Sequence, residues 1–235
     1  MMRKKVVISG ATRGIGRAIA MRLAKEGYDL AISARSAKDL NEFKEEATEK
    51  YKEIEILTYA CDLSNADDAK AFATYVQSQW KKIDILINNA GSFVEGGITD
   101  TSENVLEQMM NINFYSAYHL SKNLCGRMQA AKSGHIFNIC SIASKEIVKG
   151  ASYYSISKHA MYAFSNALRE ELRKDLVKVS TILPGSTYTS SWEDETLQPL
   201  LVQAEDIADS IMLALTMSAS AVAEELIIKP IQFRS

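Results

Sequence analysis

Val6-Val7-Ile8-Ser9-Gly10-Ala11-Thr12-Arg13-Gly14-Ile15-Gly16 decides the fold. Val6, Val7 and Ile8 are β-branched and read as a short buried strand. Three glycines follow, and a helical spacing begins at once. Ile15, Ile19 and Leu23 recur at four-residue steps along a helix over 14–26, which Gly27 ends. A glycine turn between strand and helix holds a phosphate when the N–H groups at the helix start face it. Gly10 permits the turn, and Gly14 and Gly16 let backbone and helix approach closely. The spacing is G-x-x-x-G-x-G rather than the commoner G-x-G-x-x-G. A tight turn alone would account for it if nothing downstream agreed.

Outward from that turn, β-rich apolar runs alternate with amphipathic stretches. Strands are expected at 30–32, 54–57, 83–87, 135–140, 177–183 and 226–228. Helices are expected at 37–51, from a cap at Asn65 to Trp80, and over 152–174 and 206–217. A helical hairpin is expected over 101–130, opened by Ser102 as cap with Glu103 beside it. Near-continuously apolar strands alternating with helices require a parallel sheet covered on both faces. Right-handed crossovers make it an α/β Rossmann-type doubly wound sheet of three layers. No repeat, linker or low-complexity run breaks the chain, so residues 1–235 read as a single dinucleotide-binding and catalytic domain.

Composition narrows the class. The chain has 235 residues, 47% hydrophobic and 24% charged, with a net charge of −2. That suits one globular core and gives no field to draw nucleic acid or anionic membrane. No apolar run reaches the roughly 20 residues that span a bilayer. The apolar part of 1–9 is too short for a signal peptide, so the expected compartment is cytoplasmic. Cys61, Cys125 and Cys140 are odd in number and widely spaced, which argues for reduced, buried thiols. His119, His135 and His159 lack metal-ligand spacing, and no metal is expected.

The chemistry sits further on. Tyr154 and Lys158 are four apart on the expected 152–174 helix, so both leave one face. Ser141 ends the fifth strand, thirteen residues before Tyr154. An ammonium beside a phenol favours the phenolate, which helps the phenol exchange a proton with an alkoxide near neutral pH. A serine hydroxyl at that place can donate to the same oxygen. With 10 Tyr in the chain, a bare Tyr-x-x-x-Lys arises about once by chance. Tyr118 and Lys122 form such a decoy, with Val105 where the serine would stand. Tyr153 points about 100° away from Tyr154 around the helix.

At the tip of the second strand the chain reads Ser33-Ala34-Arg35-Ser36. An NAD-type site places an acid there for the ribose 2′-hydroxyl. Arg35 stands there instead, with Arg13 in the glycine turn. Two guanidiniums suit a 2′-phosphate, so NADP(H) is the expected cofactor; solvated surface arginines are the alternative.

Taken in order, these residues resemble the short-chain dehydrogenase/reductase family over about residues 5–230. Its markers are Ser9-Gly10-x-x-x-Gly14-Ile15-Gly16, Asp62-Leu63, Asn88-Asn89-Ala90-Gly91, Asn113, Ser141, Tyr154 with Lys158, and Pro184-Gly185. The resemblance implies Asn113, Ser141, Tyr154 and Lys158 as catalytic residues. It implies cofactor contacts from Gly10, Thr12, Arg13, Gly14, Ile15, Gly16, Arg35 and Ser36. Asp62 and Leu63 would lie at the adenine, and Asn89, Ala90 and Gly91 on the adenosine ribose side. Lys158 would hold the nicotinamide ribose, and Pro184, Gly185, Thr187 and Thr189 the carboxamide. Asn113 would support a proton path. Ser9 stands where the family usually has threonine, and Thr187 where it often has a branched apolar residue.

The expected activity is NADP(H)-dependent reduction of a ketone or aldehyde to an alcohol, or the reverse. The alternative is a non-catalytic NADP(H)-binding redox sensor. The substrate should lie beyond the carboxyl ends of the strands. Phe93, Val94, Ile147, Val148, Tyr188 and Trp192 are its candidate apolar wall, under a short loop at 186–203. Glu193-Asp194-Glu195 reads as a solvated helix start. Tyr115, Tyr118, Met161, Tyr162 and Phe164 suggest an outer helical face that a second copy covers, as in a homodimer or homotetramer.

Overall fold

A computed structural model describes residues 3–99, 102–189 and 195–232. Strand β1 (Lys5–Ser9) leads through the glycine turn into α1 (Gly14–Lys25). Then come β2 (Asp29–Ala34), α2 (Ala37–Lys50), β3 (Ile56–Ala60), α3 (Ala66–Gln79) and β4 (Ile85–Asn88). Helices α4 (Val105–Met110) and α5 (Ser116–Ala131) flank a π-helical turn, Asn111–Tyr115. Strand β5 (Gly134–Ile139), a 3-10 turn (Ile142–Ser144), α6 (Ser152–Arg173) and β6 (Val177–Pro184) follow. The chain closes with β7 (Thr187–Tyr188), a 3-10 segment (Glu195–Leu200), β8 (Val202–Gln203), α7 (Ala204–Thr216) and β9 (Glu225–Ile228).

Seven strands form one parallel sheet in the order β3-β2-β1-β4-β5-β6-β9, and β7 pairs with β8 apart from it. The strand order reverses at β1, between β2 and β4, so a crevice opens beyond their carboxyl ends. Ile19 and Leu23 of α1, Leu40 and Phe43 of α2, and Ile207 and Ile211 of α7 fill one face of the sheet. Phe72 and Val76 of α3, Leu120 and Leu124 of α5, and Leu168 and Leu172 of α6 fill the other. This is the expected three-layer Rossmann-type architecture.

Three expectations are corrected. There is no hairpin over 101–130: residues 105–131 form one continuous helical run through the π turn. Ser102 does not cap it. Asn104 stands at the cap position without a side-chain capping bond, and Ser102 Oγ donates to Asn104 Oδ1 instead. The third strand runs later than expected because Thr58 and Tyr59 continue the pairing with β2, while the Glu55 side chain is drawn to Lys5 and Trp80. Asn65 caps α3 as expected, accepting from the N–H groups of Asp67 and Asp68.

Candidate active site

At the crevice the glycine turn is held by its neighbours. Gly10 and Gly14 have φ of +67° and +52°, a region that β-carbon-bearing residues rarely adopt. A Cβ on Gly16 would lie 2.1 Å from Gly10 O and 2.3 Å from Asn89 Nδ2, so only glycine fits there. Ser9 Oγ accepts from the N–H groups of Asn89 and Ala90, both at 2.9 Å. Asn89 Nδ2 returns two bonds, to Ser9 O at 3.1 Å and Gly10 O at 2.9 Å. The expected ribose-side Asn89 is therefore also the clamp joining the turns after β1 and β4. Its partner Ser9 keeps the hydroxyl that this clamp needs.

Arg13 occupies the cap position of α1 without capping it by its side chain, so the helix start relies on other groups for its first N–H donors. Thr189 Cγ2 lies 3.2 Å from where a Gly14 Cβ would be, which brings the segment after β6 over the glycine turn. Thr187 Oγ1 donates to Gly185 O at 2.9 Å. Gly185 N donates to Ile228 O at 2.7 Å, and a Cβ there would meet Pro230 Cδ at 3.0 Å.

Gly10 N and Ala11 N donate to Ser33 O at 2.9 and 3.2 Å, so the tip of β2 lies beside the turn. Arg35 leaves that tip exposed, as Arg13 leaves the turn. Among the described residues neither is in an ion pair, whereas Arg17 is engaged by Glu46. Ser36 caps α2, accepting from Asp39 N at 3.1 Å. Asp62 is exposed past β3 and accepts from Ser64 N at 3.0 Å and Ser64 Oγ at 2.8 Å. Leu63 is buried in the core beneath it.

The second half of the site is built from α6, β5 and the π turn. Lys158 is 5% exposed, and its Nζ donates to Ile139 O at 3.0 Å. That Nζ lies 5.7 Å from the Tyr154 ring centre. Gly91 sits against the same group, since a Cβ there would be 3.6 Å from Lys158 Nζ and 2.9 Å from Asn113 Oδ1. The buried Asn113 amide donates to Ser157 Oγ at 2.9 Å and Ser92 O at 3.0 Å, and accepts from Ser92 N at 2.8 Å. A π turn often marks a functional site because it re-aims side chains within a helix. Ser141 follows β5, caps the 3-10 turn through Ala143 N at 3.1 Å, and lies where that turn packs on α6.

Tyr154 is half-buried, with the exposed Phe93 edge-on at 5.0 Å between ring centres. The Phe93 loop is held to the other rim: Gly96 bridges to Ala151, and Tyr153 Oη donates to Ile98 O at 3.1 Å. Tyr153 is thus committed to the rim. The decoy Tyr118 does meet Lys122, whose Nζ donates to its hydroxyl at 3.1 Å, but on α5 against the rings of Phe114 and Phe164. Location in the fold separates the two pairs. Two features escaped sequence reading, the Ser9–Asn89 clamp and the Gly96–Ala151 bridge. Both join segments far apart in the chain, and no local spacing signals them.

Of the candidate apolar wall, Trp192 lies outside the described residues and Ile147 is exposed; Glu193 and Asp194 of the expected helix start also lie outside them. Met161 is corrected: it is buried against Cys140 and Leu183 and offers nothing to an outer face. Burial pushes the Cys140 thiol beside Ser141 up to about 11 and Cys61 up to about 12, so neither is a thiolate nucleophile near neutrality. Among the described residues no three His, Cys, Asp or Glu side chains gather to hold a metal.

A family model described as short chain dehydrogenase matches residues 4–199. A sepiapterin reductase of Chlorobaculum tepidum is 31% identical, with 97% of each chain covered. An alcohol dehydrogenase of the archaeon Thermococcus sibiricus, solved with 5-hydroxy-NADP, superposes with a TM-score of 0.92 at 25% identity, covering 100% of this chain and 99% of that one. A metagenomic short-chain oxidoreductase solved with NADP is 32% identical with a TM-score of 0.85, over 97% and 96% of the two chains.

Proposed function

We propose, from the premise that the chain belongs to the short-chain dehydrogenase family, that it reduces a ketone or aldehyde with NADPH, or oxidises the corresponding alcohol with NADP. One observation carries this reading. Lys158 stands beside both Tyr154 and Gly91, and Gly91 beside Asn113, at the carboxyl ends of the strands, in the crevice the glycine turn opens into.

The residues present fit a dinucleotide phosphate. Gly14 and Gly16 keep side chains off the turn, the start of α1 offers N–H donors, and Arg13 and Arg35 bring positive charge that no carboxylate among the described residues binds. Arg13 and Arg35 would take the 2′-phosphate, and Lys158 the nicotinamide ribose. The bound cofactor supplies or removes the hydride. The Tyr154 hydroxyl gives its proton to the carbonyl oxygen as that oxygen gains charge, and takes it back in the reverse direction. Ser141 donates to the same oxygen. Lys158, held by Ile139 O, keeps an ammonium beside the phenol, and Asn113 holds the Ser92 loop and Ser157 around them. Phe93, edge-on to Tyr154, would give the substrate an apolar rim beside the reacting atoms.

The reading includes one domain over 1–235, a substrate loop at 186–203 and a cytoplasmic location. It includes a homo-oligomer formed through α5 and α6, where Tyr118, Phe164 and the exposed Tyr115 cluster around Phe114. Light scattering at micromolar concentration should show a dimer or larger; a lone monomer overturns that part.

The deciding experiment follows NADPH and NADH absorbance over a carbonyl panel of aldehydes, diketones, ketoses and sepiapterin. The last is included because of the likeness to a sepiapterin reductase. Turnover with NADPH above NADH supports the reading. Tight NADPH binding with no turnover on any carbonyl would favour a redox sensor.

A further inference from the structure

Helix α6 carries a line of polar side chains that reaches from the acid–base pair into the sheet. Ser165 lies seven residues after Lys158, two turns along the same face. Lys158 Nζ donates to Ile139 O at 3.0 Å. One residue earlier on β5, Asn138 Nδ2 donates to Ser165 Oγ at 2.9 Å. Ser165 Oγ and Thr181 Oγ1 of β6 share a bond of 2.6 Å. One turn on, the buried Arg169 donates through Nη2 to Thr181 Oγ1 at 3.0 Å and to Glu224 O at 2.8 Å.

The line also runs the other way. Asn88 Nδ2 donates to Asn138 Oδ1 at 2.8 Å, and the next residue, Asn89, is the clamp on Ser9 and Gly10. Asn88, Asn138 and Thr181 are direct neighbours across β4, β5 and β6, so they share one sheet face. All three are buried, with Ser165. Two sets of hydrogen bonds, joined through the Asn88–Asn89 peptide, thus link the cofactor turn to the helix that bears Tyr154.

Apolar contact between a helix and a sheet is non-directional and tolerates sliding, whereas a hydrogen bond weakens steeply with distance and angle. We propose that Asn138 and Ser165 are positioning residues: they set the place of α6 along its axis, and so the separation of Tyr154 and Lys158 from the cofactor turn. The inference rests on the assignment of Tyr154 as the proton donor. A misplacement of about 1 Å can cost a hundredfold in rate, so partial loosening is expected to show in kcat.

Ser165→Ala tests this with the loss of one oxygen atom. With NADPH and 2,3-butanedione as probes, kcat should fall about tenfold while KM and the NADPH dissociation constant stay within about twofold. Hydrogen exchange over residues 152–160 should quicken, a readout that needs neither substrate nor cofactor and decides alone if butanedione is not turned over. Leu168→Ala is the control. It removes apolar packing from the same helix and should lower Tm at least as much while keeping kcat and the 152–160 exchange near wild type. The proposal is overturned if Ser165→Ala matches wild type in exchange and kcat, or if Leu168→Ala loses as much of both. If Ser165→Ala fails to fold, Thr181→Val, equal in shape without the hydroxyl, takes its place with the same readouts. Tyr154→Phe separates the two ideas. If it stays active, the acid assignment fails; if it is dead while Ser165→Ala is normal, only the positioning role falls.

Discussion

The two ends of the parallel sheet treat charge in opposite ways. At the amino ends of the strands charges meet one another. Lys5 Nζ lies 3.0 Å from both Asp29 and Glu55, Lys5 N donates to Asp84 at 2.8 Å, and Trp80 Nε1 donates to Glu55 at 2.8 Å. Burial works against the Lys5 ammonium, but Glu55 and Asp29 outweigh it and hold its pKa above the ordinary lysine value. At the carboxyl ends Arg13, Arg35 and Lys158 stand without an ion pair among the described residues, and Lys158 leans on a backbone carbonyl. Charge satisfied within the chain stabilises the fold. Charge left without an internal counter-ion is free to act on something bound. Changes at one end should therefore alter chemistry, and changes at the other stability.

Tyr154→Phe should have the largest effect. Turnover is expected to fall by about 10²–10⁴, the range for losing a general acid, with NADPH affinity within a few-fold of wild type. Tyr118→Phe, at the decoy pair, should stay active. A Tyr154→Phe variant that keeps more than about a tenth of wild-type kcat would remove Tyr154 from the site.

Arg35→Ala should come next. Losing a guanidinium contact to a 2′-phosphate costs about 1.5–3 kcal/mol, or about ten- to a hundredfold in NADPH affinity, and NADH should barely respond. Ala34→Asp combined with Arg35→Ala should reverse the preference, and Arg13→Ala reveals any sharing between the two arginines. Wild-type enzyme with higher kcat/KM for NADH than for NADPH would break the reading of both.

At the opposite end, Lys5→Met leaves the buried Asp29 without its ammonium. It should cost about 1–3 kcal/mol of stability, read as a lower urea midpoint, with kcat within about twofold of wild type. A large loss of kcat at undiminished stability would erase the distinction between the ends.

The smallest effect is conditional on pH. His135 is buried beside Ser180 and stacked on Phe137, and burial, with Lys178 and Lys4 nearby, lowers its pKa to about 3 from the ordinary 6.5. The fold keeps the ring neutral. That stabilisation is complete above about pH 6.5 and is lost as pH falls from there towards about 3, because the unfolded chain takes up the proton first. His135→Phe should flatten the acid-side slope of unfolding free energy by up to one proton, about 1.4 kcal/mol per pH unit. Urea unfolding at pH 7, 6 and 5 reads it, and an unchanged slope would mean His135 is not the group responsible.

Much of the site was legible because its parts are local. Gly10, Gly14 and Gly16 follow a β-branched run and open a helical spacing, and Tyr154 and Lys158 are four apart on one helix. What was not legible depends on approach between distant segments. The start of α4 at Val105 rather than at Ser102 and the inward turn of Met161 depend on how α4 packs on α6 and α6 on β6. The exposure of Arg35 also needed the folded chain, since its sequence neighbours do not say whether an acid lies across from it.

The chain by itself determined the alternation of strands and helices and the glycine turn between the first strand and helix, because backbone sterics and helical periodicity act within a few residues. Tertiary structure alone decided that Asn89 clamps the glycine turn, and that Asn88, Asn138, Ser165 and Thr181 join into one buried line. Those contacts form between residues 16 to 79 positions apart, where sheet register rather than sequence distance sets what meets.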